Sequence, residues 1–271
     1  MEGAGDGAQA RIVLKDLTKI YGGGSGSEVP AVDTVSFDVR EGEFVALIGP
    51  SGCGKSTILN MVAGLIPLSG GEILIDERPV VTGTPTPKVG YVFQRDTVYP
   101  WRTVRKNIGL GLELNGVPKA EREKQVAEIV GRAGLGGFED AFPITLSGGM
   151  RQRVSLMRTL IMRPEILLMD EPFGALDTHT KLEMHKLLLE IWNQEQQTVV
   201  FVTHDLGEAL TLSDRIIVLS ARPGRLKEIF HVPFERPRDA VSLRETPEFS
   251  ELFSEIWHSL GEEFRRTSAE G

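Results

Sequence analysis

The sequence has few cysteines, no long apolar run and no excess of basic residues. Its one cysteine, Cys53, excludes an intrachain disulfide and is typical of a reducing compartment. No apolar run reaches the ~18 residues of a membrane-spanning helix, and residues 1–10 lack the apolar stretch of a signal peptide and are expected to be a disordered lead-in. Basic residues number 30 against 38 acidic ones, and the net charge of −8 argues against nucleic acid as a partner. A cytosolic chain is expected, and any membrane attachment has to come through a partner.

What the sequence does contain is a match to the phosphate-binding loop (P loop) of nucleotide triphosphatases, G-x-x-x-x-G-K-[ST]. The match consists of Gly49, Pro50, Ser51, Gly52, Cys53, Gly54, Lys55, Ser56 and Thr57. A buried-strand pattern precedes it and helical spacing follows, so glycine N–H groups and a helix N-terminus can attract an anion. Lys55 is expected to reach the β- and γ-phosphates, and Ser56 to ligate Mg²⁺. Cys53 is either a small loop-filling residue or a reactive thiol.

Apolar runs and helical patterns alternate along the chain and predict an α/β domain over residues 11–238. The first part is β-rich, with strands expected at 12–20, 32–39, 44–48, 71–76 and 89–93 and a Gly/Ser loop at 22–27. A helical insertion is expected at about 96–158, after which strands return at 166–169, 199–202 and 216–219. This alternation predicts a largely parallel sheet that binds ligands at the carboxyl ends of its strands.

The chain from Ala221 onward contains several prolines and is expected to be irregular up to a C-terminal helical extension at 239–271. The helix of that extension is expected at 247–264, with Thr246 as its N-cap. Its apolar residues recur at helical spacing: Phe249, Leu252, Phe253, Ile256, Trp257 and Leu260. This face either packs on the chain's own core or binds a partner.

Two acids follow the buried strand expected at 166–169. Asp170 is placed to hold the Mg²⁺ shell, and Glu171 to orient or deprotonate an attacking water. A further anion-binding helix start is indicated at Ser147, which can cap a helix while the two glycines after it expose backbone N–H groups. The residues alone also allow a capped helix start without a ligand at Ser147.

Together the motifs resemble those of ATP-binding-cassette (ABC) proteins, in the order found in that family. The signature motif is represented by Ser147, Gly148, Gly149 and Met150. The resemblance implies that Tyr21 stacks on adenine, Gln94 senses Mg²⁺ and the γ-phosphate, Asp177 ends the D-loop, and His204 is the switch histidine that contacts the γ-phosphate. The commonest signature has glutamine where this chain has Met150; ATP binding is not expected to suffer, because the implied phosphate contacts come from Ser147 and the glycine N–H groups.

The implied fold is a P-loop (RecA-like) ABC ATPase core with a β-rich N-terminal subdomain and a helical insertion that carries the signature motif. The implied active form is a head-to-tail dimer, either a homodimer or a pair with a related cassette. Each ATP then lies between the P loop of one chain and the signature of the other. ATP and Mg²⁺ are the expected substrate and cofactor.

Several details resemble the ATPase subunits of bacterial importers of the nitrate/sulfonate/taurine group, notably Tyr99-Pro100-Trp101, Met150 and residues 220–225. In that group the segment after Gln94 touches a coupling helix of the membrane subunit. Tyr99 and Trp101 are therefore expected to be partner anchors, with ordinary packing as the alternative. The resemblance implies two transmembrane permease subunits, indirect action with an extracytoplasmic solute-binding protein, and a peripheral location at the cytoplasmic face of the membrane.

Two other functional classes are compatible with the motifs. One is a soluble ABC ATPase that remodels a nucleic-acid or protein complex, and the other is a catalytically silent, regulatory cassette. The net negative charge and the short span from Thr57 to Leu146, which has no room for a long coiled coil, disfavour the first. The presence of Glu171 disfavours the second.

Overall fold

The computed structural model describes residues 9–22, 28–84, 86 and 88–269, with side chains to residue 265. Its strands are β1 (Ala10–Tyr21), β2 (Val29–Arg40), β3 (Phe44–Ile48), β4 (Gly70–Ile75), β5 (Arg78–Pro79), β6 (Val89–Val92), β7 (Ile166–Asp170), β8 (Thr198–Val202), β9 (Arg215–Leu219) and β10 (Leu226–His231). Its α-helices are α1 (Lys55–Val62), α2 (Val104–Ile108), α3 (Leu110–Leu114), α4 (Lys119–Arg132), α5 (Gly148–Leu160), α6 (Thr178–Glu195), α7 (Leu206–Leu212) and α8 (Pro247–Ala269).

Two sheets form the framework. The first, in the order β2-β1-β4-β5, is antiparallel, as the polar–apolar alternation of its long strands requires. The second has the order β10-β9-β3-β8-β7-β6, and all of its neighbouring strands are parallel except β10 and β9. The expected largely parallel sheet is therefore present.

The parallel sheet separates two apolar cores. Alternate residues of β3 contribute to opposite sides, with Phe44, Ala46 and Ile48 in one core and Val45 and Leu47 in the other. The antiparallel sheet and α1 cover one side, and the remaining helices cover the other. Strands β3, β7, β8 and β9 are buried along their whole length, which explains their continuous apolar runs.

The region of the expected helical insertion contains α2, α3, α4 and most of α5, and it lies between β6 and β7. Val126 and Val130 of α4 and Val154 and Leu160 of α5 are buried in the same core. The insertion is thus packed on the domain rather than separate from it.

The C-terminal part departs from the sequence expectation in two respects. The segment expected to be irregular contains β10, an edge strand in which Phe230 pairs with Ile216 and is buried; the prolines flank this strand and do not interrupt it. Helix α8 continues to Ala269 rather than ending at Phe264. Phe249, Ile256 and Leu260 join the main core, which supports packing of this helix on its own domain.

The N-terminal expectations fall partly outside the described residues, which exclude residues 1–8 of the lead-in and 23–27 of the Gly/Ser loop. The lead-in was expected to extend to Ala10, but Ala10 already pairs with Arg40 in β1. Among the described residues, none of the helices has the length and apolarity needed to cross a bilayer.

Candidate functional site

The P loop connects the buried strand β3 to α1, as its sequence context predicts. Gly54 has a φ of 96°, and a Cβ there would lie 2.8 Å from the carbonyl oxygen of Ala31, so only glycine fits. The loop is backed by Gly224, where a Cβ would lie 1.9 Å from the carbonyl oxygen of Cys53. The segment 220–225, which resembles importer ATPases, therefore supports the P loop from behind.

Lys55 folds back over the loop. Its Nζ donates to the carbonyl oxygens of Gly49 and Pro50, each at 2.9 Å, and the side chain is 7 % exposed. An ammonium group that is held at the loop entrance by two carbonyls can exchange them for phosphate oxygens.

Ser56 and Asp170 meet at the carboxyl end of β7. Ser56 Oγ donates to Asp170 Oδ1 at 2.9 Å. Burial raises the pKa of Asp170, against the opposing effect of the Ser56 hydrogen bond. A buried carboxylate beside a hydroxyl is an oxygen donor set that suits Mg²⁺, and a bound cation would compensate for the buried negative charge.

The carboxylate of Glu171 lies beside the side chains of the other two predicted catalytic residues, Gln94 and His204. Its Oε2 lies 3.1 Å from Gln94 Nε2 and 3.1 Å from His204 Nδ1. The three side chains follow β6, β7 and β8, which are neighbours in the parallel sheet, so their carboxyl ends bring these residues to one edge.

Gln152, which the sequence did not single out, fixes the backbone at this point. It is 3 % exposed; its Nε2 donates to the carbonyl oxygen of Glu171 at 3.3 Å, and its Oε1 accepts from the N–H of Ala175 at 2.9 Å. Glu171 adopts a φ of 45°, which a side chain other than glycine rarely does. The one feature of the sequence that could have pointed to Gln152 is its polar side chain on the inner side of the helix that follows the signature.

Tyr21 lies beside the P loop. Its hydroxyl is 3.3 Å from Thr57 Oγ1, and its ring is 42 % exposed with Lys19 Nζ 5.0 Å from the ring centroid. An exposed aromatic ring next to the phosphate loop is a surface on which a base can stack.

The signature residues lie at the start of α5. Ser147 is the N-cap, and its Oγ accepts from the N–H of Met150 at 3.2 Å. Gly149 packs closely against the D-loop, since a Cβ there would lie 3.2 Å from Leu176 Cδ2. No hydrogen bond within the described residues joins the signature, Ser147 to Met150 with Gly148 between them, to the P loop of the same chain.

Asp177 is the N-cap of α6. Its carboxylate accepts from the N–H of Thr180 at 3.1 Å and from Thr180 Oγ1 at 2.7 Å. The Thr180 hydrogen bonds lower the pKa of Asp177. The D-loop is therefore fixed at its end by an ordinary helix cap.

Cys53 is fully buried, and burial raises the pKa of its thiol. Reactive cysteines are exposed and have a lowered pKa, so the loop-filling reading of Cys53 is supported.

Tyr99 and Trp101 lie on the surface of the helical insertion and are 38 % and 70 % exposed. Their rings are 5.3 Å apart. The fully buried Asn107 holds the segment, with its Oδ1 accepting from the N–H of Tyr99 at 2.7 Å and its Nδ2 donating to Arg102 O at 2.8 Å. The structure thus presents both rings outward instead of packing Trp101 inside the insertion.

Comparison with known proteins identifies the family. The profile of the family described as "ABC transporter" matches residues 32–174, more than half of the chain. The chain belongs to the ABC transporter family. A taurine import ATP-binding protein of Rhizobium johnstonii is 47 % identical over 85 % of this chain and 89 % of its own length. An aliphatic sulfonates import ATP-binding protein of Bacillus cereus is 40 % identical over 86 % of this chain and 92 % of its own length.

Solved structures agree with this assignment. The ATP-binding cassette MJ0796, in a dimeric post-hydrolysis state bound to ADP and Pi, has a TM-score of 0.74 and 33 % identity over 83 % of this chain and 100 % of its own. The predicted P-loop ABC fold and ATP hydrolysis in transport are confirmed, and the alternative of a remodelling ATPase is not favoured.

Proposed function

We propose that this chain is the ATP-hydrolysing subunit of an importer for a small solute of the nitrate, sulfonate or taurine type, acting at the cytoplasmic face of the membrane. The observation that carries the proposal is the convergence of Gln94 and His204 on the carboxylate of Glu171 in an ABC cassette. The import names of its taurine and sulfonate relatives support the solute class.

In the proposed reaction the water that attacks ATP is positioned by Glu171, which accepts its proton. His204 and Gln94 hold the carboxylate from two sides and lie where the γ-phosphate would enter. The γ-phosphate attracts Lys55 Nζ away from the carbonyl oxygens of Gly49 and Pro50. The base of ATP stacks on Tyr21.

Mg²⁺ would be held by Ser56, Asp170 and Gln94, whose side chains offer the hydroxyl, carboxylate and amide oxygens that this cation prefers. The ion would supply positive charge to the phosphate oxygens when bound. Ser56 and Asp170 are already 2.9 Å apart through their hydrogen bond, so little movement is needed to direct both oxygens at one cation.

Dimerisation completes the site in this proposal. Ser147 and the N–H groups of Gly148 and Gly149 form an anion-binding helix start that makes no hydrogen bond to the P loop of the same chain within the described residues. A head-to-tail arrangement with a second copy, or with a related cassette, places this start against the partner's ATP. The dimeric form of the similar cassette supports the arrangement.

The permease contact is proposed at a groove of ≈ 390 Å³ beside Trp101. The groove is also lined by Lys106 and Arg122, which have no ion-pair partner among the described residues, whereas Arg102 pairs with Glu113 at 2.8 Å. An apolar side chain of a permease helix would contact Trp101, and acidic side chains would pair with Lys106 and Arg122. Two permease subunits, served by an extracytoplasmic solute-binding protein, would bind the two cassettes.

The proposal is tested by purifying the tagged chain from detergent-solubilised membranes of its own cell. Two results are expected: a multi-span membrane protein co-purifies, and the complex hydrolyses ATP faster when a taurine- or alkylsulfonate-loaded binding protein is added. Co-purification with a soluble complex alone, or hydrolysis insensitive to every loaded binding protein of the cell, would contradict it.

A further inference from the structure

Residues 220–225 join β9 to β10 and form a turn behind the P loop. Within this turn the N–H of Ser220 donates to Arg225 O at 2.9 Å, and the N–H of Arg225 donates back to Ser220 Oγ at 3.0 Å. Arg225 also pairs with Asp33 of β2 at 2.6 Å. The turn is therefore a defined structure, joined to its surroundings by an ion pair as well as by the two strands.

The turn lies against the P loop through backbone contacts. The N–H of Gly224 donates to Ala31 O at 3.0 Å, and a Cβ at Gly54 of the P loop would lie 2.8 Å from the same carbonyl oxygen. At the other end of the P loop, a Cβ at Gly49 would lie 2.8 Å from the carbonyl oxygen of Leu219, the last residue of β9. Backbones packed this closely shift together rather than separately. Contacts that hold the turn therefore also hold the P loop.

A carboxylate of the C-terminal extension binds the turn. Glu263 of α8 is 1 % exposed, and its Oε2 accepts from the N–H of Ala221 at 2.9 Å. Its Oε1 lies 3.1 Å from Lys227 Nζ, so the buried negative charge is paired. Hydrogen bonds to an ionised acceptor are stronger than neutral ones, and more so where water is excluded. Glu263 therefore joins α8 to the turn by a strong contact.

The end of α8 is also fixed to β10 by contacts that do not involve the turn. Lys227 Nζ donates to Ser259 O at 2.7 Å and pairs with Glu262 at 2.8 Å. Ser259 Oγ donates to Glu228 Oε2 at 2.8 Å. Removing the carboxylate of Glu263 should therefore release the turn while α8 stays in place, so that the role of this one contact can be measured.

We propose that Glu263 is a positioning residue for nucleotide binding. It holds residues 220–225 against the P loop and thereby keeps the loop in the shape that accepts phosphates, acting through Ala221 rather than on the nucleotide itself. The inference rests on the proposed binding of ATP at the P loop. The C-terminal extension, which lies outside the residues 32–174 matched by the family profile, would in this way contribute to the affinity for ATP.

The coupling between the turn and the nucleotide has to act in both directions, because linkage between two contacts is reciprocal. If the held turn favours nucleotide binding, then bound nucleotide favours the held turn by the same factor. Couplings of this kind typically amount to about five- to 150-fold in affinity. Two effects are therefore expected: weaker nucleotide binding without the Glu263 contact, and slower opening of the turn when nucleotide is bound.

The first effect is tested by calorimetric titration of the full chain with ADP in saturating Mg²⁺. Glu263→Ala should weaken ADP binding by roughly fivefold or more, and Glu263→Gln, which keeps an oxygen for the N–H of Ala221, should restore most of the affinity. In ATP turnover the loss should appear in KM with kcat unchanged, because no group at the reacting atoms is altered. The matched control is Glu262→Ala, which removes the other carboxylate paired with Lys227 and should bind ADP as the wild type does.

The second effect is measured on the unmutated chain, which guards against misfolding of a variant. Hydrogen exchange of the Ala221 amide, followed by NMR, should slow by roughly fivefold or more in saturating Mg²⁺ and ADP. An exchange rate that ADP leaves unchanged would overturn the proposal. So would wild-type affinity in Glu263→Ala, no recovery in Glu263→Gln, or an equal loss in Glu262→Ala.

Lys55→Ala separates this inference from the proposed binding of nucleotide at the P loop. Wild-type ADP affinity in Lys55→Ala would mean that the nucleotide binds elsewhere, and the proposed function of the loop would fail. Weakened binding in Lys55→Ala together with wild-type binding in Glu263→Ala would leave the P loop as the nucleotide site and overturn only the positioning role of Glu263.

Discussion

The side-chain amide of Gln152 donates to the backbone carbonyl of Glu171 at 3.3 Å. Glu171 has a φ of 45°; its N–H donates to Val202 O at 2.9 Å, and its carbonyl oxygen also accepts from the N–H of Gly174 at 3.2 Å. A left-handed conformation costs a non-glycine residue on the order of 1–3 kcal/mol, and it persists only where the surroundings hold it. The signature helix therefore helps to set the direction of the carboxylate that we propose as the catalytic base.

Replacing Gln152 with glutamate should separate this positioning role from nucleotide binding. Gln152→Glu keeps an acceptor for Ala175 N–H but turns an oxygen toward the carbonyl of Glu171. We expect kcat for ATP to fall roughly ten- to hundredfold, because a small displacement of a catalytic group is costly, while KM stays near the wild-type value. The control is Gln125→Glu on the surface of α4, where the Gln125 side chain donates to Glu121 Oε1 at 3.1 Å. A roughly ten- to hundredfold rise in KM with unchanged kcat would reject the positioning role.

Much of the site could be predicted because it depends on strand ends. Gln94, Glu171 and His204 each follow an apolar strand, and parallel strands place the residues after them at one edge of the sheet. The P loop is likewise local in sequence. These features need only the type and direction of each element.

Other features could not be predicted, because they depend on which elements pack together. Gln152 is a polar residue within a helix, and its contact with Glu171 exists only because α5 lies against the end of β7. The same holds for Glu263 and Ala221, which meet only because α8 lies against the turn between β9 and β10. Strand β10 was missed because it is a short edge strand between prolines.

Lys55→Ala tests the phosphate-loop assignment. We propose that the Lys55 ammonium group reaches the β- and γ-phosphates, so its removal should weaken ATP binding roughly tenfold or more, measured by calorimetry on the full chain. Lys15→Ala, at an exposed lysine that pairs with Glu72 at 3.5 Å, should leave the affinity unchanged. Wild-type ATP affinity in Lys55→Ala would mean that the nucleotide binds elsewhere.

Trp101→Ala tests the permease anchor. Because Trp101 is 70 % exposed, its removal should leave ATP binding and folding of the isolated subunit intact. Loss of a central aromatic should reduce affinity for the permease by roughly thirtyfold or more, measured by co-purification from membranes at graded expression. Trp257→Ala removes another exposed tryptophan, on α8, and is expected to assemble normally. Equal assembly of both variants would argue against the anchor.

The buried His185 predicts a pH effect on stability. Its pKa is about 3 when folded and 6.5 in the reference state, so between these values the unfolded chain binds more protons. Stability is therefore lost as the pH falls below 6.5, by about 1.4 kcal/mol on going to pH 5.5. The free energy of unfolding of His185→Gln, measured in urea at pH 7.5 and 5.5, should fall by about 1.4 kcal/mol less than that of the wild type. His179→Gln, at a histidine with an 83 % exposed side chain, should lose as much stability as the wild type between these pH values. The same loss in both variants would contradict the assignment of this effect to His185.

ATP turnover by Glu171→Gln is the measurement that bears most directly on the proposed reaction. The substitution keeps the shape of the side chain and removes the base, so binding of ATP and Mg²⁺ should remain while turnover falls on the order of 10²-fold or more. Sedimentation with ATP should then show a stable dimer, because hydrolysis no longer reopens the closed dimer. Glu183→Gln, on the surface of α6, is the matched control. Near-normal turnover by Glu171→Gln would contradict the role of Glu171, and an ATP-bound monomer would contradict the shared site.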